Sequence, residues 1–266
     1  MKDMYNLSQI PSEAQIRKYL RRIVFGKNVF CPVCKSRKVV RYEDRYRCRS
    51  CRRRFSLLSH TWLGNMKLPY QKFWMLLWSW TIEEPILQTM ALTDLSERTV
   101  RHWFREFRLH LPRETHILER IVQMDEAYFR DAALVMAKQK GTRILAWDVL
   151  RTDPTKTDVV RFLFKKVRPG AKLWTDGGSI YKGVAAWWPV EHSRDIHKKF
   201  EFAHTSEIEG IFGVYRTFVR RMYHHHWSIN LEEYVREFCF RFSSPDLFKN
   251  PTFYLSKTLT LVPTCS

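Results

Sequence analysis

The chain is 266 residues long and 45% hydrophobic, which is enough to bury a sizeable core and places it among globular rather than disordered proteins. Its formal net charge of +19, from 46 Lys and Arg against 27 Asp and Glu, predicts an anionic partner. Nucleic acid is the first candidate, because cations gain free energy by displacing counterions from phosphates. The longest apolar run, at residues 73–82, is about half the ~20 residues of a membrane span, so we expect no membrane segment.

The amino-terminal stretch, MKDMYNLSQIPSEAQ, lacks the apolar core of a secretion signal. We therefore expect an intracellular protein, cytoplasmic and nucleoid-associated if prokaryotic, whose thiols stay reduced. Residues 11–25 are predicted to form an amphipathic helix capped by Ser12, within an amino-terminal helical region at 1–28. Its apolar positions recur at helical spacing: Ile16, Leu20, Ile23 and Val24.

Two CxxC motifs follow within residues 29–58, and the segment KVVRYEDRYRC between them predicts a strand, a turn and a second strand. Four thiolates at this spacing suit tetrahedral coordination of one structural Zn²⁺ in a zinc ribbon. Disulfide pairing is the alternative, and the expected reducing compartment disfavours it. The predicted ligands are Cys31, Cys34, Cys48 and Cys51.

Arginines crowd the second CxxC motif far more densely than a structural module requires. We expect them to contact DNA, and a solvated basic face is the alternative. These residues are Arg47, Arg49, Arg52, Arg53 and Arg54.

Residues 59–112 are predicted to be helical. A break near Thr93 and Asp94 separates two helices, and Ser96 is the predicted cap of the second. Two helices joined by a short turn suit a helix-turn-helix, although a purely structural helical pair gives the same pattern. The second helix is basic, with Arg98, Arg101, His102, Arg105 and Arg108, and we expect its arginines at 98, 101 and 105 to contact DNA.

The sequence pattern changes from helical to strand-like at the start of residues 113–243. The segments RIVQMDEAYF, AALVMAKQ and RILAWDVLRT read as three strands, followed by a helix at 155–167 and a short strand in AKLWTDGGSIY. Three strands, a helix and another strand predict an α/β domain. Residues 244–266 are turn-rich and weakly patterned, and they are left as an unassigned carboxyl-terminal tail.

Acidic residues stand out in this basic chain. Asp125 and Glu126 are neighbours in a predicted strand, so they point to opposite faces and one of them can face a site. Asp176 precedes two glycines at the end of its strand, near the sheet edge where open α/β sheets place their sites. Capping a turn is the alternative for Asp176. Asp148, on another predicted strand, is a further acid that can face the same region.

A third carboxylate lies in the helical segment that begins at HTSEIEG. By helical geometry, Glu209 and Arg216 fall within about 20° of each other and two turns apart, and Arg220 continues the line. Glu207 points about 160° away from Glu209. The alternative for Glu209 is a capping box with Ser206, in which it would satisfy a backbone N–H. The predicted buried stripe is Ile208, Ile211, Phe212, Tyr215, Phe218, Val219 and Met222.

Three carboxylates brought together repel one another unless divalent cations neutralise them. Two Mg²⁺ ions would activate a water or 3′-hydroxyl and stabilise the leaving oxygen of a displacement at phosphorus. Phosphodiester chemistry also accounts for the basic charge, because its substrate is a polyanion.

In combination these motifs resemble the zinc-ribbon DDE insertion-sequence transposases of prokaryotes, which are related to the eukaryotic Merlin elements. The likeness spans about residues 11–243. It rests on CPVC, CRSC, MDEAYF, TDGGSIY, HTSEIEG and EEYVREFCFRFS.

The resemblance implies an RNase H-like catalytic domain that holds two Mg²⁺ or Mn²⁺ ions. Asp125 would lie on its first strand, Asp176 after its fourth, and Glu209 on the helix that completes the site. The resemblance selects Asp125 over Glu126, and it matches Arg216 to a basic residue that contacts DNA phosphate. Similar proteins often carry Asn where Ser206 stands, so either Glu209 or the residue at position 206 supplies the third active-site group.

The resemblance further implies that the amino-terminal modules bind the terminal inverted repeats of an element. It implies cleavage of DNA strands and their transfer to target DNA without a covalent enzyme intermediate, by a homodimer or larger assembly. Two alternatives stay open: a DNA-binding regulator or domesticated transposase with purely structural acids, and an RNase H-like nuclease that cuts without joining.

Overall fold

The structure, a computed structural model, describes residues 10–113, 116–194, 205–224 and 228–261. The chain divides into two compact units. The first unit combines Met1–Pro112 with Asp246–Ser266, and the second is Arg113–Pro245. Within the described ranges, no helix has both the length and the apolar character that crossing a membrane requires.

Helix α1 (Glu13–Phe25) opens the first unit, and its predicted cap is confirmed. The Ser12 hydroxyl accepts from the backbone of Gln15, whose side chain accepts from Ser12 in return. Glu13 has a second role, because its carboxylate accepts from the first two backbone N–H groups of helix α2 (Tyr70–Thr81). The residue before α2 is a proline that makes no side-chain cap, so α1 supplies the cap that α2 lacks.

The zinc ribbon is a three-stranded antiparallel sheet in the order β1, β2, β3. The predicted hairpin is confirmed as β1 (Val39–Tyr42) and β2 (Arg45–Cys48), with Glu43 and Asp44 at the turn. A third strand, β3 (Arg54–Ser56), is too short and too basic to show a strand pattern in the sequence.

The predicted helical pair is confirmed as α3 (Ile86–Thr93) and α4 (Glu97–Leu109). Asp94 ends α3 in the left-handed conformation, and the Ser96 hydroxyl accepts from the backbone N–H of Thr99. Aromatic side chains of α2 and α4 pack between the helices, namely Phe73, Trp80, Trp103 and Phe107.

Helix α8 (Pro251–Thr258) lies in the segment that the sequence left unassigned. The Asn250 side chain caps it by accepting from the backbone of Thr252 and Phe253. The fully buried Tyr254 contacts the ring of Trp80 at 5.2 Å between centroids and donates its hydroxyl to the Phe107 carbonyl at 2.8 Å. Within the segment after Ser243, α8 therefore completes the aromatic core of the first unit.

The second unit is built on a five-stranded sheet in the order β6, β5, β4, β7, β8. The first three strands along the chain are antiparallel, whereas β7 pairs parallel to both β4 and β8. This mixed order is that of the RNase H-like fold, which confirms the predicted fold class. The strands are β4 (Ile121–Phe129), β5 (Ala132–Gln139), β6 (Leu145–Leu150), β7 (Lys172–Thr175) and β8 (Glu191–Arg194), and the helices are α5 (Lys156–Lys166), α6 (Ser206–Tyr223) and α7 (Leu231–Ser243).

Strand β8 has no counterpart among the elements that the sequence predicts. It is a short edge strand with a polar sequence, Glu-His-Ser-Arg, so no apolar alternation marks it. The predicted buried stripe of α6 is confirmed at every position.

The two faces of the sheet separate the side chains of β4. Val122 and Met124 join the core that α5 covers, together with the buried Tyr181. On the other face, the Phe129 ring meets that of Tyr215 on α6 at 6.2 Å between centroids. Odd-numbered residues of β4 therefore face α6, and even-numbered residues face α5.

The packing of α8 predicts that the first unit loses stability when Tyr254 is truncated. We expect Tyr254→Ala to lower its free energy of unfolding by about 3–5 kcal/mol, because it removes a buried ring and leaves a cavity. The neighbouring Phe253 is 48% exposed, so Phe253→Ala is the matched control and should be close to wild type. Urea unfolding followed by tryptophan fluorescence measures both, and equal midpoints for the two variants would contradict the assigned role of α8.

Candidate functional site

Strand register brings the two predicted aspartates together. The parallel ladder pairs Gln123 of β4 with Trp174 of β7. Two residues further along each strand lie Asp125 and Asp176, so the ladder directs both to the same point of the sheet. β7 ends at Thr175, which places Asp176 just beyond the carboxyl end of its strand.

Three carboxylates converge at that point: those of Asp125, Glu126 and Asp176. Each offers an oxygen that lies within 4.8 Å of the oxygens from the other two. All three side chains are half-buried. Among the described residues, this acidic cluster and the four ribbon cysteines are the groups whose side chains are placed to hold a metal ion.

Glu126 joins Asp125 in the cluster, although the resemblance selects Asp125 over Glu126 as the catalytic residue. The two neighbours do lie on opposite faces of β4, but Asp176 stands beyond the end of β7, where that strand no longer separates the faces. Glu126 is held there by two phenols: Tyr181 donates to one of its oxygens, and Tyr128 donates to the other at 3.3 Å. Tyr181 is fully buried, so this contact fixes the position of the carboxylate.

Asp176 both caps a turn and belongs to the cluster. Its Oδ1 accepts from the backbone N–H of Gly178 at 2.9 Å, as the turn-cap alternative predicted. A Cβ atom added at Gly178 would lie 2.9 Å from that same oxygen and 3.3 Å from the Tyr181 ring. The glycine therefore allows the close turn that orients the Asp176 carboxylate.

Glu209 lies on α6 outside the 4.8 Å cluster, although its charge raises the pKa of Asp125. The capping box proposed for it does not form, because the cap of α6 is Thr205 rather than Ser206. Instead, the Thr205 hydroxyl donates to Glu209 Oε1 at 2.8 Å. Ser206 is the exposed first residue of the helix. The assignment of the third catalytic group to Glu209 stays a prediction.

Sequence reasoning missed a buried lysine that holds α6 on the sheet. Lys138 of β5 pairs across the ladder with Gln123, so it lies on the face of the sheet that α6 covers. Its buried ammonium forms an ion pair with Glu207 in the first turn of α6. The signal was a single Lys in the otherwise apolar strand AALVMAKQ. This pair anchors the helix turn that carries Glu209.

Burial sets the protonation of the cluster. Burial is the largest of the causes that together raise the pKa of Asp125 to about 7; the negative charges of Glu126, Asp176 and Glu209 also raise it, and a backbone hydrogen bond at Glu126 lowers it. Burial also raises the pKa of Glu126. A set of carboxylate oxygens that is costly to ionise together fits a hard divalent cation such as Mg²⁺ or Mn²⁺.

Asp148 lies outside the cluster. It pairs with Val135, which in turn pairs with Glu126, so the whole of β5 separates Asp148 from Glu126. At ~4.8 Å between neighbouring strands, the backbones of Asp148 and Glu126 are about 10 Å apart across the sheet.

The ribbon cysteines form a second cluster, with free thiols. Sγ atoms of Cys31 and Cys51 lie 3.6 Å apart, and those of Cys34 and Cys48 lie 3.5 Å apart. A disulfide is about 2 Å long, whereas Zn–S bonds of ~2.3 Å place tetrahedral sulfurs about 3.8 Å apart, so the spacing fits zinc. The backbone N–H of Cys51 donates to the Cys48 sulfur and lowers the pKa of that thiol to about 6.

The predicted DNA-contacting arginines are mostly exposed. This holds for the ribbon group Arg47, Arg49, Arg52, Arg53 and Arg54, for Arg216 and Arg220 on α6, and for Arg98 and Arg105 on α4. Arg101 is half-buried, and its Nε donates to Glu97 at 2.7 Å. Arg108, another basic residue of the same helix, is only 5% exposed. Exposed side chains are accessible to DNA, but exposure does not test contact, so the DNA-binding role of these arginines stays a prediction.

Two family models match the chain. The model of the ISXO2-like transposase domain matches residues 117–243. The model of the transposase zinc-ribbon domain matches residues 11–54. The two matches correspond to the second unit and to the ribbon with the helix before it.

A curated relative is 26% identical over 133 residues, described as an uncharacterized protein in transposable element ISH50 of Halobacterium salinarum. The match covers 48% of this chain and 45% of the relative, so the chain spans a little under half the length of that protein.

Solved structures of viral integrases are similar to parts of the chain. The catalytic core domain of BIV integrase is 15% identical, with a TM-score of 0.25, over 29% of this chain and 55% of its own. The HTLV-2 integrase catalytic core domain in complex with magnesium is 10% identical, with a TM-score of 0.33, over 48% of this chain and 88% of its own. A chain of a simian T-cell lymphotropic virus intasome is 12% identical, with a TM-score of 0.37, over 58% of this chain and 63% of its own. We base the fold class on the strand order and on the matched domain.

The raised pKa of Asp125 has a consequence for the metal-free protein. An acid whose pKa rises on folding, here from 3.8 to about 7, favours the folded state while it is protonated. Its contribution to stability is full below about pH 4 and is lost as the pH rises toward about 7.

We expect the affinity of the metal-free protein for Mn²⁺ to increase between about pH 6 and pH 8. Asp125 must lose its proton before its carboxylate binds a cation, and its pKa lies in this interval. Titration calorimetry at several pH values measures the change. Asp125→Asn should weaken binding and flatten the pH dependence, whereas Asp148→Asn, outside the cluster, should retain both. A wild-type affinity that is constant over this interval would contradict the assigned environment of Asp125.

Proposed function

Because the chain matches the models of the ISXO2-like transposase domain and of the transposase zinc-ribbon domain, we propose that it binds the terminal inverted repeats of an insertion element and cleaves and transfers DNA strands at a DDE site. The observation that carries the proposal is the convergence of Asp125, Glu126 and Asp176 at the centre of an RNase H-like sheet. Acids held together at such a cost in stability serve a purpose when they bind cations and a polyanionic substrate.

Asp125 and Asp176 are the proposed catalytic metal ligands, with Glu209 as the third group. Their oxygens would hold two Mg²⁺ or Mn²⁺ ions, which activate a nucleophilic oxygen and stabilise the leaving oxygen at phosphorus. Glu126 is an additional candidate, because its carboxylate already lies in the cluster, whereas Glu209 requires α6 or its side chain to bring it closer. Ser206 is the less suitable candidate on charge, since its neutral hydroxyl does not offset the charge of a cation.

The residues around the acids position them. β4 is the middle strand of the sheet, and Asp125 pairs with Met136 of β5 in the ladder that holds its backbone. The Gly178 N–H orients Asp176, and the Tyr181 hydroxyl orients Glu126. Holding the reacting groups in place before the substrate arrives lowers the entropic part of the barrier.

Basic residues are proposed to hold the DNA. Arg216 and Arg220 are exposed on α6, two and three turns beyond Glu209, where they can meet the phosphates that flank the reacting bond. The ribbon arginines and those of the α3 and α4 pair are proposed to bind element ends. A neutral side chain at any of these positions would reduce the number of counterions that DNA binding releases.

The proposed organisation follows the sequence analysis: an amino-terminal helix at 1–28, a zinc ribbon at 29–58, a helix-turn-helix-like region at 59–112, a catalytic domain at 113–243 and a terminal segment at 244–266. Cys31, Cys34, Cys48 and Cys51 are proposed to hold one structural Zn²⁺. Work as a homodimer or larger assembly on DNA, and an intracellular, nucleoid-associated location, belong to the same proposal.

A strand-transfer assay with pre-cut element ends bearing 3′-hydroxyls tests the function. We expect Asp125→Asn and Asp176→Asn to abolish joining in the presence of Mg²⁺ or Mn²⁺, because each removes a charged metal ligand. Asp148→Asn is the matched control and should join ends as wild type does. Undiminished joining by both aspartate variants would falsify the DDE assignment.

The same assay separates the alternatives. Duplex binding by a wild-type protein that neither cuts nor joins favours the regulator, and cutting without joining favours the nuclease. Comparing Glu209→Gln with Glu126→Gln identifies the third group, because removal of the ligand should stop joining while duplex binding is retained.

The zinc proposal predicts one zinc per chain, measured by atomic emission on purified protein. Cys48→Ser should lose the metal, since three thiolates no longer complete the tetrahedron. Cys239→Ala is the control, because Cys239 is buried in α7 and distant from the CxxC motifs in the sequence. A zinc content that Cys48→Ser leaves unchanged would overturn the ligand set.

A further inference from the structure

A groove runs along α1 on the side where the helix faces the zinc ribbon. It consists of two hollows of about 490 and 540 Å³ that share Arg21, Arg41 and Tyr46 as lining residues. We call it the α1–ribbon groove and define it by Arg17, Lys18, Arg21, Arg37, Arg41 and Tyr46. None of these residues belongs to the arginine groups assigned to DNA above.

Helix periodicity accounts for the basic wall that α1 contributes. Ala14, Arg17, Lys18 and Arg21 are three, four and seven positions apart, so they share one face. Ile16 and Leu20 lie on another face and are buried. Arg37 and Arg41 supply the facing wall from the loop before β1 and from β1 itself.

The fold neutralises only part of the positive charge of the groove. Glu13, the acid that lines it, is engaged by the backbone N–H groups of Tyr70 and Gln71. Asp44 pairs with Arg17 at 2.5 Å. Within residues 10–113 and the other described ranges, no carboxylate lies within 4.0 Å of the Lys18, Arg21 or Arg37 cations. Cations gathered in a concave surface without partners attract an anion.

The walls of the groove are fixed to each other. The buried Tyr46 ring stacks on Phe55 at 5.4 Å and meets Phe25 of α1 at 6.2 Å between centroids. The ion pair of Arg17 with Asp44 ties α1 to the turn between β1 and β2. Because the fold has already ordered both walls, an anion that binds between them incurs less entropic cost.

The shape suits a nucleic-acid backbone rather than base edges. α1 has 13 residues and is about 20 Å long, which is enough to follow several phosphates of one strand at ~3.4 Å of rise per base pair. Base edges lie inside the grooves of a duplex, where a protruding helix or ribbon reads them. A concave surface instead receives the convex, phosphate-bearing ridge of a strand.

We propose that the α1–ribbon groove binds the phosphates of one strand of duplex DNA and anchors the DNA without reading its sequence. The inference rests on the proposed function, and it adds a binding surface to it. Lys18, Arg21 and Arg37 contact the phosphates, while Arg17 and Tyr46 hold the walls in position.

The test compares two triple variants of the full, zinc-loaded chain, each of which removes three positive charges. The groove variant is Lys18→Gln, Arg21→Gln and Arg37→Gln. The control variant is Arg22→Gln, Lys27→Gln and Lys38→Gln, at exposed neighbouring positions that do not line the hollows. Fluorescence anisotropy measures the binding of two labelled duplexes of unrelated sequence between about 50 and 200 mM salt.

We expect the groove variant to bind both duplexes roughly tenfold or more weakly, and the slope of log K against log salt to decrease in magnitude by ~0.9 for each lost contact, about 2.7 in all. The control variant should keep most of the affinity and slope. Zinc content and urea unfolding verify that both variants are folded. A swap of Lys18→Arg with Arg21→Lys retains the charge and should retain binding.

The outcomes separate this inference from the function that it rests on. Equal effects of the groove and control variants, with tight wild-type binding, overturn the groove and leave the DNA-binding proposal intact. Loss of affinity for one duplex but not the other overturns the claim that sequence is not read. If the wild type binds neither duplex, the groove fails, and the strand-transfer assay with element ends decides the proposed function separately. If the groove variant loses a single-stranded RNA probe but keeps the duplexes, RNA replaces DNA as the occupant.

Discussion

The parallel pairing of β4 with β7 is the constraint on which the acidic site depends. It aligns Asp125 with Asp176 although many residues, including a whole helix, separate them in the chain. A shift of the ladder by one residue would reverse the faces of every side chain on β7, so the site requires this register. The apolar residues that fix the register, Val122 and Leu173, are fully buried partners in the ladder beside the site. Packing energy in the core thus holds like charges close together.

Neighbouring polar groups determine what the acids can do once they are together. Burial makes the ionised cluster costly, which is why the pKa of Asp125 is raised to about 7. The Tyr181 hydroxyl and the Gly178 N–H each donate to an oxygen of the cluster, and these hydrogen bonds orient the oxygens. On the opposite side, the pair of Lys138 with Glu207 docks α6, whose exposed face carries Glu209 and Arg216. The acids of the cluster therefore supply its charge, whereas neighbouring groups hold those acids and α6 in position.

Much of this fold could be predicted from the sequence, because helical periodicity and caps are local signals. Ser12, Ser96 and the stripe of α6 lie where their spacing predicted. The cluster of four cysteines could be predicted in the same way. Each CxxC turn brings two sulfurs together, and the predicted hairpin brings the two pairs together. Strand β8 and helix α8 were missed because the first is polar and the second short, and both are defined by long-range packing. The resemblance selected Asp125 over Glu126, and the position of Asp176 beyond the end of β7 explains why the Glu126 carboxylate also reaches it.

The packing of α8 against α2 and α4 has a consequence for how the chain matures. The first unit is discontinuous, and the second unit is inserted between α4 and α8. During synthesis, the ribbon and its helices emerge before the second unit, yet their aromatic core stays open until α8 leaves the ribosome. Co-translational folding then favours completion of the inserted sheet before that of the segment made earliest. A nascent chain interrupted before α8 would expose Trp80 and Phe107, a form that cellular quality control recognises and removes.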